Sequence, residues 1–476
     1  MTPAPALRAA PAAARLAEGF DRIREEMGVP GEHPAGALRE AEAAAAGGPA
    51  PDERVDRRGL DLVTIDPPGS RDLDQAVLVE RSDAGFRVRY AIADLAAFVS
   101  PGGPVDEAAR ERGVTVYMPD RRSPLHPDAI GEGAASLLPD ADRPALLWTV
   151  DLDAEGRERS VALERAVVRS RRALAYSEAQ EAIEEGRDEA LAALREVGML
   201  RLAREVERGG VSLTVPVQEV VREGGGYALR YETPLPVEGW NAQISLLTGM
   251  CAARIMAEGG IGLFRTLAPA EPRALEGLRH SARALGVRWP EGASYGEVVR
   301  GLDPVRPGHA AFAVRASRAL GGAGYAVWDA RSGGGGPPAH AAIAAPYAHV
   351  TAPIRRLADR VANEVVLALS RGAAPPRWTL EALPSMPDVM RETGSRARSA
   401  ERAALDYVEA VTLAPRVGET FAAVVVDVRD DRPVVQIAEP AVQATLDREG
   451  ARPGDEIRVR LVAVDPAARR IVLTPA

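Results

Sequence analysis

The chain has 476 residues, a length that suggests about three domains, and its 59 basic and 68 acidic residues leave a formal net charge of −9. Every basic residue is arginine and no lysine occurs anywhere, which excludes P-loop phosphate binding, Schiff-base chemistry and a lysine general base. The single cysteine, Cys251, excludes an intrachain disulfide and a cysteine-based zinc site, and the six histidines are scattered without metal-ligand spacing.

Residues 6–46 read as two short helices. Leu7, Leu16, Phe20, Ile23 and Met27 recur at helical spacing, a Gly-Val-Pro-Gly break comes next, and Leu38 to Ala46 is strongly helix-forming. Pro3, Pro5, Pro11, Arg8 and Arg15 interrupt the start, which does not resemble a secretion signal. No apolar run reaches the ~18–20 residues of a membrane span, so the expected setting is cytoplasmic. About fifty residues bury little alone. The 1–50 region is therefore a helix-turn-helix appendage or a lid packed on the main body. A Gly-Gly-Pro-Ala-Pro linker at 47–51 leads into that body, 55–415.

Strand patterns in the body fall at Leu62–Ile65, Gln75–Glu80, Arg87–Ala93 and Ala145–Leu152, and helical patterns at Ser177–Glu207, Glu238–Glu258 and Ala352–Arg371. The Gly-rich segment 328–340 reads as a mobile loop. Short strands at 420–428, 433–438, 441–446, 456–464 and 470–474 suggest a small OB-type barrel over 418–476. The expected class is α+β: a mixed sheet surrounded by helices, a helical N-terminal region and an all-β barrel at the end.

Two segments carry chemistry. In Thr64-Ile65-Asp66-Pro67-Pro68-Gly69-Ser70-Arg71-Asp72-Leu73-Asp74-Gln75 a strand ends at Asp66, a turn comes next, and a new strand is expected near Asp72. Alternation along that strand points Asp72 and Asp74 the same way, and the turn returns Asp66 beside them. Crowded carboxylates repel unless a hard cation sits among them, and magnesium is the usual solution. The alternative is a solvated acidic turn. In Tyr347-Ala348-His349-Val350-Thr351-Ala352-Pro353-Ile354-Arg355-Arg356-Leu357-Ala358-Asp359, Pro353 marks a helix start. Ile354, Leu357, Val361, Val365 and Leu369 form its buried stripe, and Gly372 ends it. Arg355 and Arg356 then sit in the first turn, where they oppose the helix dipole unless phosphate is bound nearby. The alternative is an Arg355–Asp359 surface pair.

Together these segments resemble the ribonuclease II (RNB) family of exoribonucleases, across most of residues 55–415. Ala91-Ile92-Ala93-Asp94, Tyr117-Met118-Pro119, Ser136-Leu137-Leu138-Pro139, Gly209–Pro216, Cys251-Ala252-Ala253-Arg254 and His340 ahead of Tyr347 match in order. The terminal barrel matches the family's OB module of the ribosomal-protein type. The resemblance implies processive, metal-assisted hydrolysis of single-stranded RNA from the 3′ end to nucleoside 5′-monophosphates. Asp66, Asp72 and Asp74 fall on family carboxylates, with Asp74 the one most directly tied to cleavage. Magnesium is the implied ion and manganese the other candidate. Arg355 falls on the arginine at the scissile phosphate, with Arg356 beside it as an RNA contact. Tyr117 falls on an aromatic that stacks on the terminal base, and Tyr176 on a tyrosine that contacts ribose.

There are departures. The family's usual fourth aspartate is Gln75 here, which offers one neutral oxygen to the metal and no charge. A helix glutamate that contacts sugar lands on Ala242, with Glu238 or Gln243 as substitutes. The aromatic partner of Tyr117 lands on Leu213. Two N-terminal cold-shock-type domains found in many members have no room here, which would open the channel to structured RNA with a 3′ overhang. The barrel has Phe421 as its single aromatic. It reads as a weak RNA guide or a structural cap. Arg121, Arg122, Arg171 and Arg172 are candidates for a basic channel wall inside the acidic shell. The expected molecule is a monomer with no membrane partner. Gln75 and the one-sided base clamp motivate the competing reading, a catalytically weak or inactive RNA-binding protein on the same fold.

Overall fold

The computed structural model describes residues 10–50, 53–212, 217–223, 226–303, 306–333, 335–429, 432–447 and 450–476. The expectations for Leu7, Leu213, the remainder of 213–216 and Gly334 lie outside these residues.

The body is built on six strands: β1 (Val55–Asp56), β2 (Leu62–Asp66), β3 (Gln75–Ser82), β4 (Gly85–Ala93), β5 (Asp142–Leu152) and β6 (Glu158–Ala175). Their order is β1-β6-β2-β3-β4-β5. The long β6 serves both sides of the sheet. Its residues 158–169 run antiparallel to β5, and 170–175 run parallel to β2, so the sheet closes on itself. Burial on both faces explains why these strands read as nearly continuous apolar runs. Val77, Val79, Tyr90, Ile92, Leu146 and Trp148 enter one core, while Ala76, Leu78, Ala91, Ala93, Ala145 and Leu147 enter another on the opposite face.

Two helices open the described chain, α1 (Ala10–Glu26) and α2 (Ala35–Gly47). They share no core with each other. Leu16, Phe20 and Ile23 of α1 join the core that continues into the C-terminal barrel, whereas Ala37 and Ala41 of α2 join the small-residue face of the sheet. The helix expected over 177–207 is two helices, α3 (Tyr176–Glu184) and α4 (Glu189–Glu207). Gly186 takes φ 65°, and the Asp188 carboxylate accepts the Ala190 and Leu191 N–H groups, each at 3.0 Å, to start α4 afresh. The helix expected from Glu238 is α5 (Pro236–Glu258), which packs on the first core with α6 (Leu357–Ser370). The segment expected as a loop over 328–340 carries regular structure at both ends. A strand runs on to Asp329, a helical turn covers Ala330–Ser332, and Ala339–His340 pairs with Ala345–Pro346.

A long helix, α7 (Met386–Leu413), leads to the barrel. Its strands are Thr420–Arg429, Arg432–Ile437, Val442–Thr445, Glu456–Asp465 and Arg470–Pro475, each within one residue of the sequence expectation. A bridge from Leu446 to Leu473 draws the edge strands into a nearly closed barrel. Among the described residues no helix is long and apolar enough to cross a membrane.

Candidate active site

The acidic loop is shaped by its own sequence. Ser70 N–H donates to the Pro67 carbonyl at 3.2 Å and Gly69 takes φ 80°. Pro68 and Gly69 thus occupy the positions each favours in a type II turn. The next strand starts at Gln75, not near Asp72. Residues 70–74 instead pair with a neighbouring loop: the Ser136 hydroxyl donates to the Arg71 carbonyl (2.6 Å) and accepts the Leu73 N–H (2.9 Å). Leu137 N–H donates to the Leu73 carbonyl at 3.0 Å. Strand alternation therefore does not govern this stretch, and the two aspartates have different surroundings. Asp74 is buried, accepting the Ile354 N–H at 2.7 Å and lying 3.5 Å from Arg355 Nε. Asp72 accepts the Tyr117 hydroxyl at 3.0 Å and pairs with Arg122 at 3.0 Å.

The arginine segment also departs from expectation. The helix begins at Leu357, and both arginines precede it. Ala352–Arg355 form a turn instead, with Arg356 N–H donating to the Ala352 carbonyl at 2.9 Å, and Arg356 is extended at φ −140°. Asp359 fixes this geometry from within. Its carboxylate accepts the Ala352 N–H at 2.8 Å and both arms of the Arg356 guanidinium at 2.8 Å. Asp359 is fully buried, so the alternative Arg355–Asp359 surface pair does not form. Arg356, expected to contact RNA, is spent on that ion pair, whereas the Arg355 side chain remains 42% exposed. Thr115 N–H donates to the Arg355 carbonyl (3.1 Å) and Leu357 N–H to the Gly113 carbonyl (2.9 Å), strapping the segment to the chain before Tyr117.

Electrostatics are set by burial. Asp66 is pushed up to about 6, chiefly by burial and then by the Asp72 charge, with Arg355 opposing. Asp74 is pushed up to about 8 by burial, against Arg355 and the Ile354 N–H. Two carboxylates short of compensating charge are a donor set that suits a hard divalent cation. Among the described residues, however, no group of three or more His, Cys, Asp or Glu side chains is arranged to hold a metal ion. Asp72 is engaged with Arg122 and Tyr117, which leaves Asp66 and Asp74 as the first candidates for a cation.

Gln75, expected as a fourth ligand, has its amide oxygen taken: the Tyr90 hydroxyl donates to it at 2.5 Å, and that hydroxyl also meets Ser245 Oγ at 2.7 Å. Gln243, offered as a sugar contact, is buried and donates to Glu205 of α4 at 2.7 Å, in the packing between helices. Glu238 accepts the Leu235 N–H at 2.7 Å and so caps its own helix. Tyr176 comes directly after β6. Burial first, then the Asp66 and Glu238 charges, raise its hydroxyl to about 12, with Arg355 opposing. The four wall candidates are all paired: Arg121 with Asp21, Arg122 with Asp72 and Glu132, Arg171 with Asp61 and Arg172 with Asp188.

Sequence reasoning missed Tyr90, Asn241 and Ser245. Asn241 and Ser245 lie four apart on α5; Asn241 reaches the Ile65 carbonyl at 3.4 Å, next to Asp66. The available signal was Tyr90 itself, a phenol inside an apolar strand run that must find a partner when buried. Behind the arginine segment a second polar layer went unread. Tyr325 hydroxyl meets His349 Nδ1 at 2.7 Å, Tyr347 packs edge-on to His349, and Arg265 lies over the Tyr325 ring.

Comparison with known proteins gives a consistent picture. A family model described as the RNB domain matches residues 54–372, and one described as the RNase II-type exonuclease C-terminal S1 domain matches 419–476. Ribonuclease R of Escherichia coli (strain K12) is 27% identical over 404 residues, covering 78% of this chain and 48% of that protein. The chain thus spans about half the length of the curated relatives it matches. Among solved structures, Mycoplasma genitalium RNase R in complex with ribose methylated single-stranded RNA matches with TM-score 0.85 at 19% identity, covering 97% of this chain and 78% of that one. Yeast Ssd1, described as a pseudonuclease, matches with TM-score 0.69 at 17% identity, covering 89% and 54%. At these identities the structural likenesses establish the fold.

Proposed function

The chain belongs to the RNB domain family, and from that premise we propose that it is a hydrolytic 3′-to-5′ exoribonuclease, processive on single-stranded RNA and releasing nucleoside 5′-monophosphates. One observation supports this above the others: the half-exposed Arg355 guanidinium lies 3.5 Å from the buried Asp74 carboxylate. A fixed, solvent-reachable cation beside a buried carboxylate suits phosphodiester cleavage, where negative charge develops on the phosphate.

In this reading Arg355 donates to the non-bridging oxygens of the terminal phosphodiester and counters charge as it develops there. Arg356 does not touch substrate; its pair with Asp359 holds the turn that aims Arg355. Asp66, Asp72 and Asp74 are the residues proposed to hold magnesium, or manganese, which supplies positive charge to the phosphate and acidifies a bound water. Tyr117, 44% exposed as a residue, offers its ring as a stacking face to the terminal base. Its hydroxyl bond to Asp72 ties that stacking to the acidic loop. Tyr176, which directly follows β6, is the residue proposed to meet the ribose.

The second reading, an RNA-binding protein with little or no activity, is favoured by Asp72 being ion-paired and by the Gln75 oxygen being occupied. The two separate on RNA labelled at its 3′ end, incubated with magnesium. Release of labelled 5′-monophosphate by the wild type, slowed roughly 10²–10³-fold in Arg355→Ala with RNA still bound, supports the enzyme. Tight binding without any release supports the second reading.

A further inference from the structure

Gln75 stands at the start of β3, half-buried, next in the chain to Asp74. Its carbonyl oxygen faces inward, onto the hydroxyl of Tyr90 at 2.5 Å. Tyr90 is 1% exposed on β4, and its ring sits in the main core. The phenol is held from the other side by Ser245 Oγ of α5 at 2.7 Å. In a planar amide the nitrogen diverges from the oxygen, so it points away from the Tyr90 hydroxyl. The Gln75 Nε2 atom has no hydrogen-bond partner among the described residues, and it is not among the enclosed polar atoms. The Gln75 N–H fork, one residue along the chain from Asp74, is thus left without an intramolecular acceptor among the described residues.

We infer that Gln75 serves the substrate as a hydrogen-bond donor, its amide oriented by the Tyr90–Ser245 pair, and that it takes no part in holding a divalent ion. The inference rests on the exoribonuclease reading of this cleft and specifies how the cleft meets RNA. Phosphate and ribose oxygens accept hydrogen bonds, and an amide N–H supplies one without a negative charge that would repel a phosphodiester. A carboxylate at this position would do the reverse, attracting cations and repelling the backbone. Tyr90 and Ser245 are positioning residues. Without the Tyr90 proton, the inward oxygen has no donor, and the amide is free to turn.

Two binding measurements on the full chain test this, neither of which needs turnover. RNA affinity is read by anisotropy of a fluorescent single strand with each variant in an Asp74→Asn background. Divalent affinity is read by calorimetric titration of magnesium into each variant without that substitution. Gln75→Ala should weaken RNA binding about tenfold, as for the loss of one hydrogen bond to a charged group, and leave magnesium affinity within about twofold. Gln75→Glu, which keeps the shape but only accepts, should weaken RNA binding further and strengthen magnesium binding. Tyr90→Phe should weaken RNA binding by a smaller factor, and add nothing in the Gln75→Ala background. A packing defect would add there, so the double variant isolates the positioning role. Loss of magnesium binding in Gln75→Ala, with RNA affinity retained, would overturn the inference, as would RNA affinity unchanged in Gln75→Glu. A wild type that binds RNA but never shortens it would count against the exoribonuclease reading alone.

Discussion

Individual side chains divide by how far their partners lie in sequence. Asp66, Asp72, Asp74 and Arg355 could be singled out as candidates because each sits in a local pattern, a strand end, a Pro-Pro-Gly turn or a Pro-marked segment. The partners of Arg356, Gln243 and Gln75 could not be read in the same way, because the fold supplies them: Asp359 in a turn that replaced the first helical turn, Glu205 on α4, and Tyr90 on β4. Tyr117 combines both kinds of information. Its ring is free to stack, and its hydroxyl donates to Asp72 at 3.0 Å. Tyr117→Ala should therefore cost RNA binding roughly 1–3 kcal/mol, the value of one base–aromatic contact. Tyr117→Phe should keep most of that affinity while altering kcat, through the acidic loop. Equilibrium binding and single-turnover rates on the same oligonucleotide check both expectations. An equal loss of affinity in the two variants would show that the hydroxyl, not the ring, is the RNA contact.

At the level of elements, the site depends on how α6 is moored, because the turn carrying Arg355 runs straight into it. Arg165 on β6 bridges Asp94 at 2.6 Å and Glu364 of α6 at 2.7 Å, and Arg360 of α6 pairs with Asp106 at 2.6 Å. These charges are buried. Such pairs are weak evidence for net stability, but removing one partner leaves an uncompensated buried charge. Glu364→Ala is thus expected to destabilise the protein by about 3–5 kcal/mol, measured by denaturant unfolding. A change below about 1 kcal/mol would mean that the mooring is packing alone. The opposite side is set by close approach. A Cβ on Gly249 of α5 would lie 2.1 Å from the Tyr347 ring and 2.6 Å from the Ala348 carbonyl. Gly249→Ala should therefore displace the segment leading to Arg355 and lower kcat, with a drop in Tm. The elements that were expected along the body and the barrel's short strands were read with the right type, because their patterns are local, whereas α7 went unread. The boundaries at 186 and 357 were not read, since a positive-φ glycine and a buried aspartate set them.

On the scale of the whole molecule, the barrel is held to the body by a shared core and a buried acid. Phe20 of α1 meets both Tyr227 and Tyr407 edge-on, and α1 also pairs Glu26 with Arg469 of the barrel at 2.6 Å. Glu409 of α7 lies at the same junction, accepting Gln218 Nε2 at 2.6 Å and the Gln443 N–H of the barrel at 2.9 Å. Burial pushes Glu409 up to about 7 from its ordinary 4.5. The folded state then holds this proton more tightly than the unfolded chain. The stabilisation is full below about pH 4.5 and is lost as pH rises through about 7, an effect of up to about 3 kcal/mol. Glu409→Gln should remove that dependence. Unfolding free energies across this window, wild type against variant, check it, and parallel pH profiles would contradict it. Only the apolar stripe of α1 was readable beforehand; its partners come from separate stretches of sequence.

Single-stranded RNA labelled at its 5′ end, tracked in time with magnesium and either the wild type or Asp74→Asn, tests the proposed exoribonuclease activity most directly. The wild type should shorten the label progressively from the 3′ end while releasing 5′-monophosphates, and Asp74→Asn should bind the RNA and leave its length unchanged. Equal shortening by both proteins, or cleavage into internal fragments, would contradict it.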